Sequence, residues 1–122
     1  MGNNNEDKRL IPRKVKVVSQ GEKFLKDLQD IVEKNLSDPG FGVDTLWDKL
    51  YVSRASLFWK VKAITGESPN EFIKSYRLDR AAQLLREDFG NVTEVSDAVG
   101  FSDPYYFSKC FKQKLSEPGF TG

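Results

Sequence analysis

The side chains that could do chemistry in this chain are mostly basic, polar and aromatic. The 122 residues include no histidine and a single cysteine, Cys110. A Ser-His-Asp triad, a Cys-His dyad, a His-containing zinc site and a CxxC pair are therefore excluded. Acidic residues recur at the spacing of a solvated helical surface: Asp27, Asp30 and Glu33, and Asp44 and Asp48. We expect no catalytic residue, no metal ion and no cofactor, and we interpret Cys110 as a buried small hydrophobe.

Two segments carry basic and aromatic side chains at helical spacing. Counting about 100° per residue from an inward Leu57, the outward face of the first carries Arg54, Ala55, Phe58, Trp59 and Lys62. The face away from an inward Phe107 in the second carries Tyr105, Lys109, Lys112 and Gln113. Such faces suit a DNA groove, because cations contact phosphates and aromatic rings contact thymine methyls or sugars. Phe58 or Trp59 could instead pack against a neighbouring helix or a partner domain, and this alternative stays open.

Charge favours a DNA partner only through its distribution. Lys and Arg (19) nearly balance Asp and Glu (18), so the net charge of +1 offers no evidence for nucleic acid. Residues 43–66 hold four basic and two acidic side chains, and residues 103–115 hold three basic and one acidic. Each segment thus has a basic excess of two where a groove would be entered. Near the N terminus, Arg13, Lys14 and Lys16 belong either to a charged linker or to an arm that touches phosphates.

Six helices are predicted to position these faces. Capping-box patterns at Ser19 and Glu22 and at Ser68 and Glu71 start the first helix and a long fourth helix. The other boundary signals are a weak cap at Gly42, a cap at Ser53, a stop at Gly66, a break at residues 89–91, a turn at Gly100 and a cap at Ser102 or Asp103. The buried faces are expected to include Leu57, Val61 and Ile64 in the third helix, and Phe107, Phe111 and Leu115 in the sixth.

The two halves of the chain repeat one another. An offset of 49 residues matches Val43 with Val92, Leu46 with Val95 and Leu50 with Val99, and an offset of 50 matches Leu57 with Phe107 and Val61 with Phe111. The repeat predicts two helix-turn-helix units, at about 43–65 and about 92–115, joined by a linker helix at about 68–87. A helix of about 20 residues spans roughly 30 Å, close to the roughly 34 Å of one DNA turn. One chain would then read two successive major grooves at a non-palindromic site.

Three segments resemble one known family. The run AVGFSDPYYFSKCFK at residues 98–112 is similar to the signature of AraC-type (AraC/XylS) transcription regulators. Residues 53–73 and 77–85 are similar to the first unit and the linker helix of that family. The amino-acid sequences of these three segments are most similar to C-terminal output domains of hybrid two-component sensor regulators. The resemblance implies an all-α fold with two helix-turn-helix subdomains, each a homeodomain-like three-helix unit, joined by a long central helix.

The resemblance also implies which residues touch DNA. Base edges would be read by Ala55, Phe58, Trp59, Tyr105 and Lys109. Backbone contacts would come from Ser53, Arg54, Lys62, Ser102, Ser108 and Lys112, partly through helix N termini. The chain departs from the family pattern at four places. Trp47 replaces a small residue, and Tyr51 replaces a glycine or another residue that tolerates a left-handed conformation. Trp59 stands where relatives often have a basic residue, and the family's closing segment is degraded at residues 116–122. These departures predict weaker or different base reading by the first unit.

The predicted organisation is a linker or disordered arm at residues 1–18, an AraC-type DNA-binding domain at 19–115 and a tail at 116–122. Its predicted function is sequence-specific DNA binding as the output module of a larger bacterial signalling protein, such as a two-component system. The alternative is a helical protein-interaction module without DNA binding. Expected partners are double-stranded promoter or operator DNA, an upstream receiver or sensor domain and RNA polymerase, with a monomeric isolated domain. We expect a cytoplasmic domain whose parent could be membrane-anchored and carry a histidine kinase.

Overall fold

The computed structural model describes residues 19–118, which form six helices. They are α1 (Gln20–Lys34), α2 (Val43–Leu50), α3 (Arg54–Thr65), α4 (Pro69–Arg86), α5 (Val92–Ala98) and α6 (Pro104–Leu115). No strand occurs in this described part of the chain. The predicted all-α fold is confirmed. The predicted arm at residues 1–18, with Arg13, Lys14 and Lys16, and residues 119–122 of the predicted tail lie outside the described residues.

Side-chain caps start every helix except α2. Ser19, Ser68 and Asn91 accept a hydrogen bond from the backbone three residues on, and Glu22, Glu71 and Glu94 accept one in return. Ser53 caps α3 and Asp103 caps α6, whereas Gly42 before α2 has no side chain to offer. A side-chain cap stabilises a helix by about 1 kcal/mol. Local sequence therefore determines where the two helices with basic and aromatic faces begin.

One apolar core runs through both halves of the molecule. Its fully buried members include Leu28, Val32, Leu46, Leu57, Val61 and Ala81 and, from the second half, Val95, Val99 and Phe107. Helices α1, α2 and α3 contact one another, as do α4, α5 and α6, and α4 also packs on α3. The molecule therefore consists of two three-helix units joined through α4. Cys110 is buried in the second unit, as predicted.

Two residues predicted for the buried faces are exposed. Ile64 in the last turn of α3 is 37% exposed, and Leu115 at the end of α6 is 49% exposed. The helical period extends an apolar face to the end of a helix, whereas burial also needs a neighbouring element that covers that face. In α6 the adjacent Lys114 is covered instead, and its ammonium lies 4.0 Å from the Asp79 carboxylate of α4. The predictions for Ile64 and Leu115 are wrong for this reason.

The two helix-turn-helix turns share a left-handed residue at the same point. Tyr51 after α2 has φ 56° and ψ 43°, and Gly100 after α5 has φ 85°. The first unit thus takes the left-handed conformation without a glycine, and the Tyr51 side chain is 94% exposed. For a residue with a Cβ this conformation costs about 1–2 kcal/mol. Tyr51 is therefore a point of local strain between α2 and α3.

Candidate nucleic-acid interface

The first candidate face lies on the outer side of α3. Leu57 and Val61 point into the core with no exposed surface. The predicted contact residues of this unit are all exposed: Ser53, Arg54, Ala55, Phe58, Trp59 and Lys62. Ser53 caps the helix, and the first turn of α3 contains no acidic residue. The partial positive charge at this N terminus is therefore not neutralised by a side chain within that turn.

The rings of Phe58 and Trp59 contact each other on this face. Their ring centroids lie 5.1 Å apart with the ring planes at 87°, an edge-to-face arrangement. Phe58 is 40% exposed and lines a hollow with Val43 and Pro69, so its ring is partly covered. Trp59 is 68% exposed. The alternative of a packed ring thus applies in part to Phe58, while Trp59 presents a large apolar surface to solvent.

Trp47 of α2 affects the first face through Arg54. The guanidinium carbon of Arg54 lies 5.7 Å from the centroid of the Trp47 ring, which is a cation–π distance. At the corresponding position of the second unit, Ser96 is fully buried and its hydroxyl donates to the Phe101 carbonyl at 3.5 Å. Trp47, the larger residue at this position, is half-buried in the first unit, and its ring makes the cation–π contact with Arg54.

The second candidate face lies on the outer side of α6. Four predicted contact residues are exposed on this side or in the turn before it: Ser102, Tyr105, Lys109 and Lys112. Tyr105 is 89% exposed, and its N–H donates to the Asp103 carboxylate at 2.9 Å. Ser108, the remaining predicted contact, is half-buried. The α6 face carries two exposed lysines and one exposed aromatic ring, Tyr105, whereas the α3 face carries a pair of aromatic rings.

Asn70, in the first turn of α4, lies between the two faces. It lines one hollow of about 310 Å³ with Arg54 and Phe58 of the first face. It also lines a second hollow, of about 260 Å³, with Ser102 and Asp103 at the start of α6. Asn70 therefore borders one hollow beside the first face and a second hollow at the start of α6. Asn70 is not among the contact residues predicted from the sequence.

Glu71 adds a negative charge beside the first face. Hydrogen bonds from the backbone and side chain of Ser68 lower the pKa of the Glu71 carboxyl, and Lys62 and Lys74 lower it further. Glu71 is therefore ionised at neutral pH. Its charge attracts the ammonium of Lys62, which is one of the side chains predicted to contact a phosphate. The linker helix thus both caps itself and places a carboxylate near one edge of the basic surface.

Arg77 is the residue that sequence analysis most clearly missed. In the sequence it is only the first residue of a family-like segment, yet it is 6% exposed and its guanidinium donates hydrogen bonds to backbone carbonyls in two loops. Its spacing of four residues from Ile73 and from Ala81, both buried, was the available signal. An arginine on the buried stripe of a helix needs internal hydrogen-bond partners.

Residues 19–118 contain neither a metal-binding cluster nor a membrane-spanning helix. No group of three or more His, Cys, Asp or Glu side chains in that stretch could hold a metal ion. None of its helices is both long and apolar enough to cross a membrane.

A known family matches most of the interface. Its model, described as a helix-turn-helix domain, matches residues 46–118, which include α3, α4, α5 and α6. The chain belongs to the AraC-type helix-turn-helix family. The resemblance on residues 98–112 is thereby confirmed. AraC-type domains are DNA-binding domains of transcription regulators and not enzymes.

Three known proteins illustrate the relationship. Histidine kinase P4 of Formosa agariphila is 44% identical over 110 residues, which is 90% of this chain and 8% of that protein. The C-terminal domain of the two-component response regulator yesN from Fusobacterium nucleatum has a TM-score of 0.71 at 26% identity, covering 78% of this chain and 98% of that one. The DNA-binding domain of AdpA, solved in complex with a target DNA, has a TM-score of 0.69 at 26% identity, covering 76% and 83%.

This AraC-type chain is short beside its relatives. It spans 8% of the length of the Formosa kinase, 30% of the regulator MtrA of Neisseria gonorrhoeae and 31% of the regulator GbdR of Pseudomonas aeruginosa. The comparisons therefore concern the DNA-binding domain, and the activity of a longer protein is a separate question.

Proposed function

We propose that this AraC-type domain reads two successive major grooves of double-stranded DNA, with α3 in one and α6 in the next. The observation that carries the proposal is the pair of exposed, basic and aromatic faces joined by α4. The 18 residues of α4 span about 27 Å, comparable with the roughly 34 Å between successive grooves. Because the two units follow each other in one chain and carry different side chains, the two DNA elements would be unlike.

The side chains fall into two proposed roles. Base edges are read by Ala55, Phe58 and Trp59 on α3 and by Tyr105 and Lys109 on α6. The DNA backbone is contacted by Ser53, Arg54, Lys62, Ser102, Ser108 and Lys112. The exposure of ten of these eleven residues supports the assignment. Ser108, which is half-buried, would reach a phosphate only through its hydroxyl, and Trp59 offers apolar contact where a cation would offer a hydrogen bond.

The domain is proposed to be the output module of a larger two-component signalling protein. The similarity to part of a histidine kinase and to the C-terminal domain of a response regulator supports this role. An upstream receiver or sensor domain would then control the DNA-binding state, and RNA polymerase would be contacted at the promoter. A parent with histidine kinase activity and a membrane anchor belongs to the same proposal, as does a monomeric isolated domain.

The second candidate function is a helical protein-interaction module. The exposed Phe58–Trp59 pair favours it, because large apolar side chains on a surface often mark a docking site. The two functions differ in their response to salt. Phosphate contacts weaken steeply as salt rises, since binding releases condensed counterions, whereas apolar docking changes little.

Fluorescence anisotropy with mixed-sequence duplex DNA tests the proposal. We expect binding that weakens steeply between 50 and 200 mM salt, on the order of 10³-fold for six or more phosphate contacts. On a duplex that the wild-type domain selects from a random pool, Lys109→Ala should weaken binding by about fivefold to a hundredfold, the range of a base contact worth roughly 1–3 kcal/mol. Lys26→Ala is the matched control: it removes the same charge from α1, where Lys26 pairs with Asp30, and should leave affinity nearly unchanged. Absence of binding at low salt, or equal effects of both substitutions, would contradict the two-groove proposal.

A further inference from the structure

Arg77 has hydrogen-bond partners in both three-helix units. It lies in the middle of α4, and its Nη1 donates to the carbonyl oxygens of Val99 at 3.1 Å and Gly100 at 2.6 Å, in the turn between α5 and α6. Its Nη2 donates to the carbonyl oxygens of Asp38 at 3.1 Å and Phe41 at 3.4 Å, in the loop between α1 and α2. One guanidinium therefore joins the linker helix, a loop of the first unit and the turn of the second.

The packing around this group is tight on the side of the second unit. A Cβ added at Gly100 would overlap Nη1 of Arg77 and also the carbonyl oxygen of Leu36, just after α1. The turn that precedes α6 thus sits directly against the end of the first unit, with the guanidinium between them. A glycine is needed at position 100 for two reasons: its φ is positive, and a Cβ would overlap the neighbouring atoms.

The charge of Arg77 makes the arrangement specific to one geometry. Burial lowers the pKa of Arg77 and the nearby Asp38 carboxylate raises it, but an arginine stays protonated in proteins. A buried cation must keep its hydrogen bonds, because losing them leaves a desolvated charge. The planar fork reaches both pairs of carbonyls together only when the two units have one relative orientation.

We propose that Arg77 is a positioning residue that fixes the orientation of the two units and so sets the spacing between the two DNA elements that this chain reads. The spacing part rests on the proposed two-groove function. One added base pair moves the second element by about 3.4 Å along the duplex and rotates it by roughly 35°. Two units held in one fixed orientation cannot contact both elements after that displacement, whereas two units free to reorient can.

Spacing preference is measured on duplexes that carry the site selected by the wild-type domain from a random pool. The spacer between the two elements is lengthened or shortened by one base pair, and affinity is read by anisotropy. We expect wild type to lose about tenfold or more per base pair, as for a misplaced base contact at each element. Arg77→Lys, which keeps the charge but replaces the fork by a single ammonium, should reduce that ratio to about twofold.

Asn91→Ala is the matched control for stability. It removes the side-chain cap of α5 within the second unit and leaves the joint between the units intact. It should destabilise the fold, as Arg77→Lys does, and keep the wild-type spacing ratio. A folded Arg77→Lys variant, with wild-type helical circular dichroism, that retains the tenfold ratio would overturn the proposal. Arg77→Met serves as a second variant, since it removes the guanidinium and all four hydrogen bonds and keeps an unbranched side chain.

A distance measurement without DNA separates this proposal from the proposed function. Spin labels at Asp48→Cys on α2 and Asp97→Cys on α5, both exposed positions, report the relation between the units in a Cys110→Ala background. Double electron–electron resonance should give one narrow distance distribution, which Arg77→Lys broadens. Broadening in a domain that fails to bind DNA would support the joint and reject the two-groove function. An unchanged narrow distribution would reject the role of Arg77.

Discussion

Tyr51 shows how a single residue departs from the pattern of its own repeat. Both helix-turn-helix turns need a left-handed residue, and the second unit supplies Gly100 while the first supplies a tyrosine. The Tyr51 side chain makes little contact, since it is 94% exposed. Burial of the Tyr51 side chain therefore does not offset the strain of its backbone. The residue at this turn is poorly suited to the left-handed conformation that it adopts.

We expect Tyr51→Gly to stabilise the domain. Removal of the left-handed strain is worth about 1–2 kcal/mol, and the greater freedom of glycine in the unfolded chain offsets about half of it. The free energy of unfolding should rise by about 0.5–1 kcal/mol in urea titrations followed by circular dichroism. Gly100→Ala is the opposite control at the equivalent point and should lower it by at least about 2 kcal/mol, because strain and overlap add. A destabilising Tyr51→Gly would mean that the phenol makes a stabilising contact.

At the scale of elements, α1 and α4 are joined by an exposed ionic cluster. Glu33 of α1 accepts hydrogen bonds from the two Nη atoms of Arg80 at 2.6 and 2.8 Å and from the Tyr76 hydroxyl at 2.8 Å. The bond from Arg80 and then that from Tyr76 lower the pKa of the Glu33 carboxyl from its ordinary 4.5. A lowered pKa in the folded state means that ionised Glu33 stabilises the fold above pH 4.5, and that this contribution is lost as pH falls through the folded value.

We expect Glu33→Gln to destabilise the domain by less than about 1 kcal/mol at pH 7, because both partners are partly exposed. The difference from wild type should persist at pH 5 and shrink below pH 4.5 as the wild-type carboxyl becomes protonated. Urea titrations at pH 7, 5 and 3 measure it. Asp27→Asn, which removes a surface pair with Lys23 within α1, should show a smaller difference. A Glu33→Gln effect that is constant with pH would show that the carboxylate charge is not its source.

Local signals allowed most elements to be predicted, and their absence explains the rest. The capping boxes at Ser19 and Ser68 placed the starts of α1 and α4, because a cap involves residues only three apart. Ile64 and Leu115 were misplaced because a helical period does not say where the neighbouring helix ends. Arg77 could not have been assigned its partners, since those carbonyls lie 22 to 39 residues away in two different loops.

At the scale of the whole molecule, the repeat predicted two units but not how they meet. The outward faces of α3 and α6 follow from the helical period and the buried Leu57 and Phe107. That Asn70 lies between these faces depends on how α4 packs on both units, and no local pattern contains that information. The outward faces were therefore predictable one by one, while the position of Asn70 beside both hollows was not.

Because the two faces differ, phosphate and base contacts can be separated across the whole molecule. Lys62→Ala should weaken every duplex to a similar degree and lower the slope of log affinity against log salt by about 0.9, the value for one phosphate contact. Trp59→Ala should leave that slope unchanged and relax discrimination at one of the two DNA elements, because an apolar ring releases no counterion. Anisotropy over a salt series, with duplexes altered in either element, measures both effects. A Trp59→Ala variant that loses affinity equally for all sequences would remove Trp59 from the base-reading set and leave it a general packing surface for the DNA backbone.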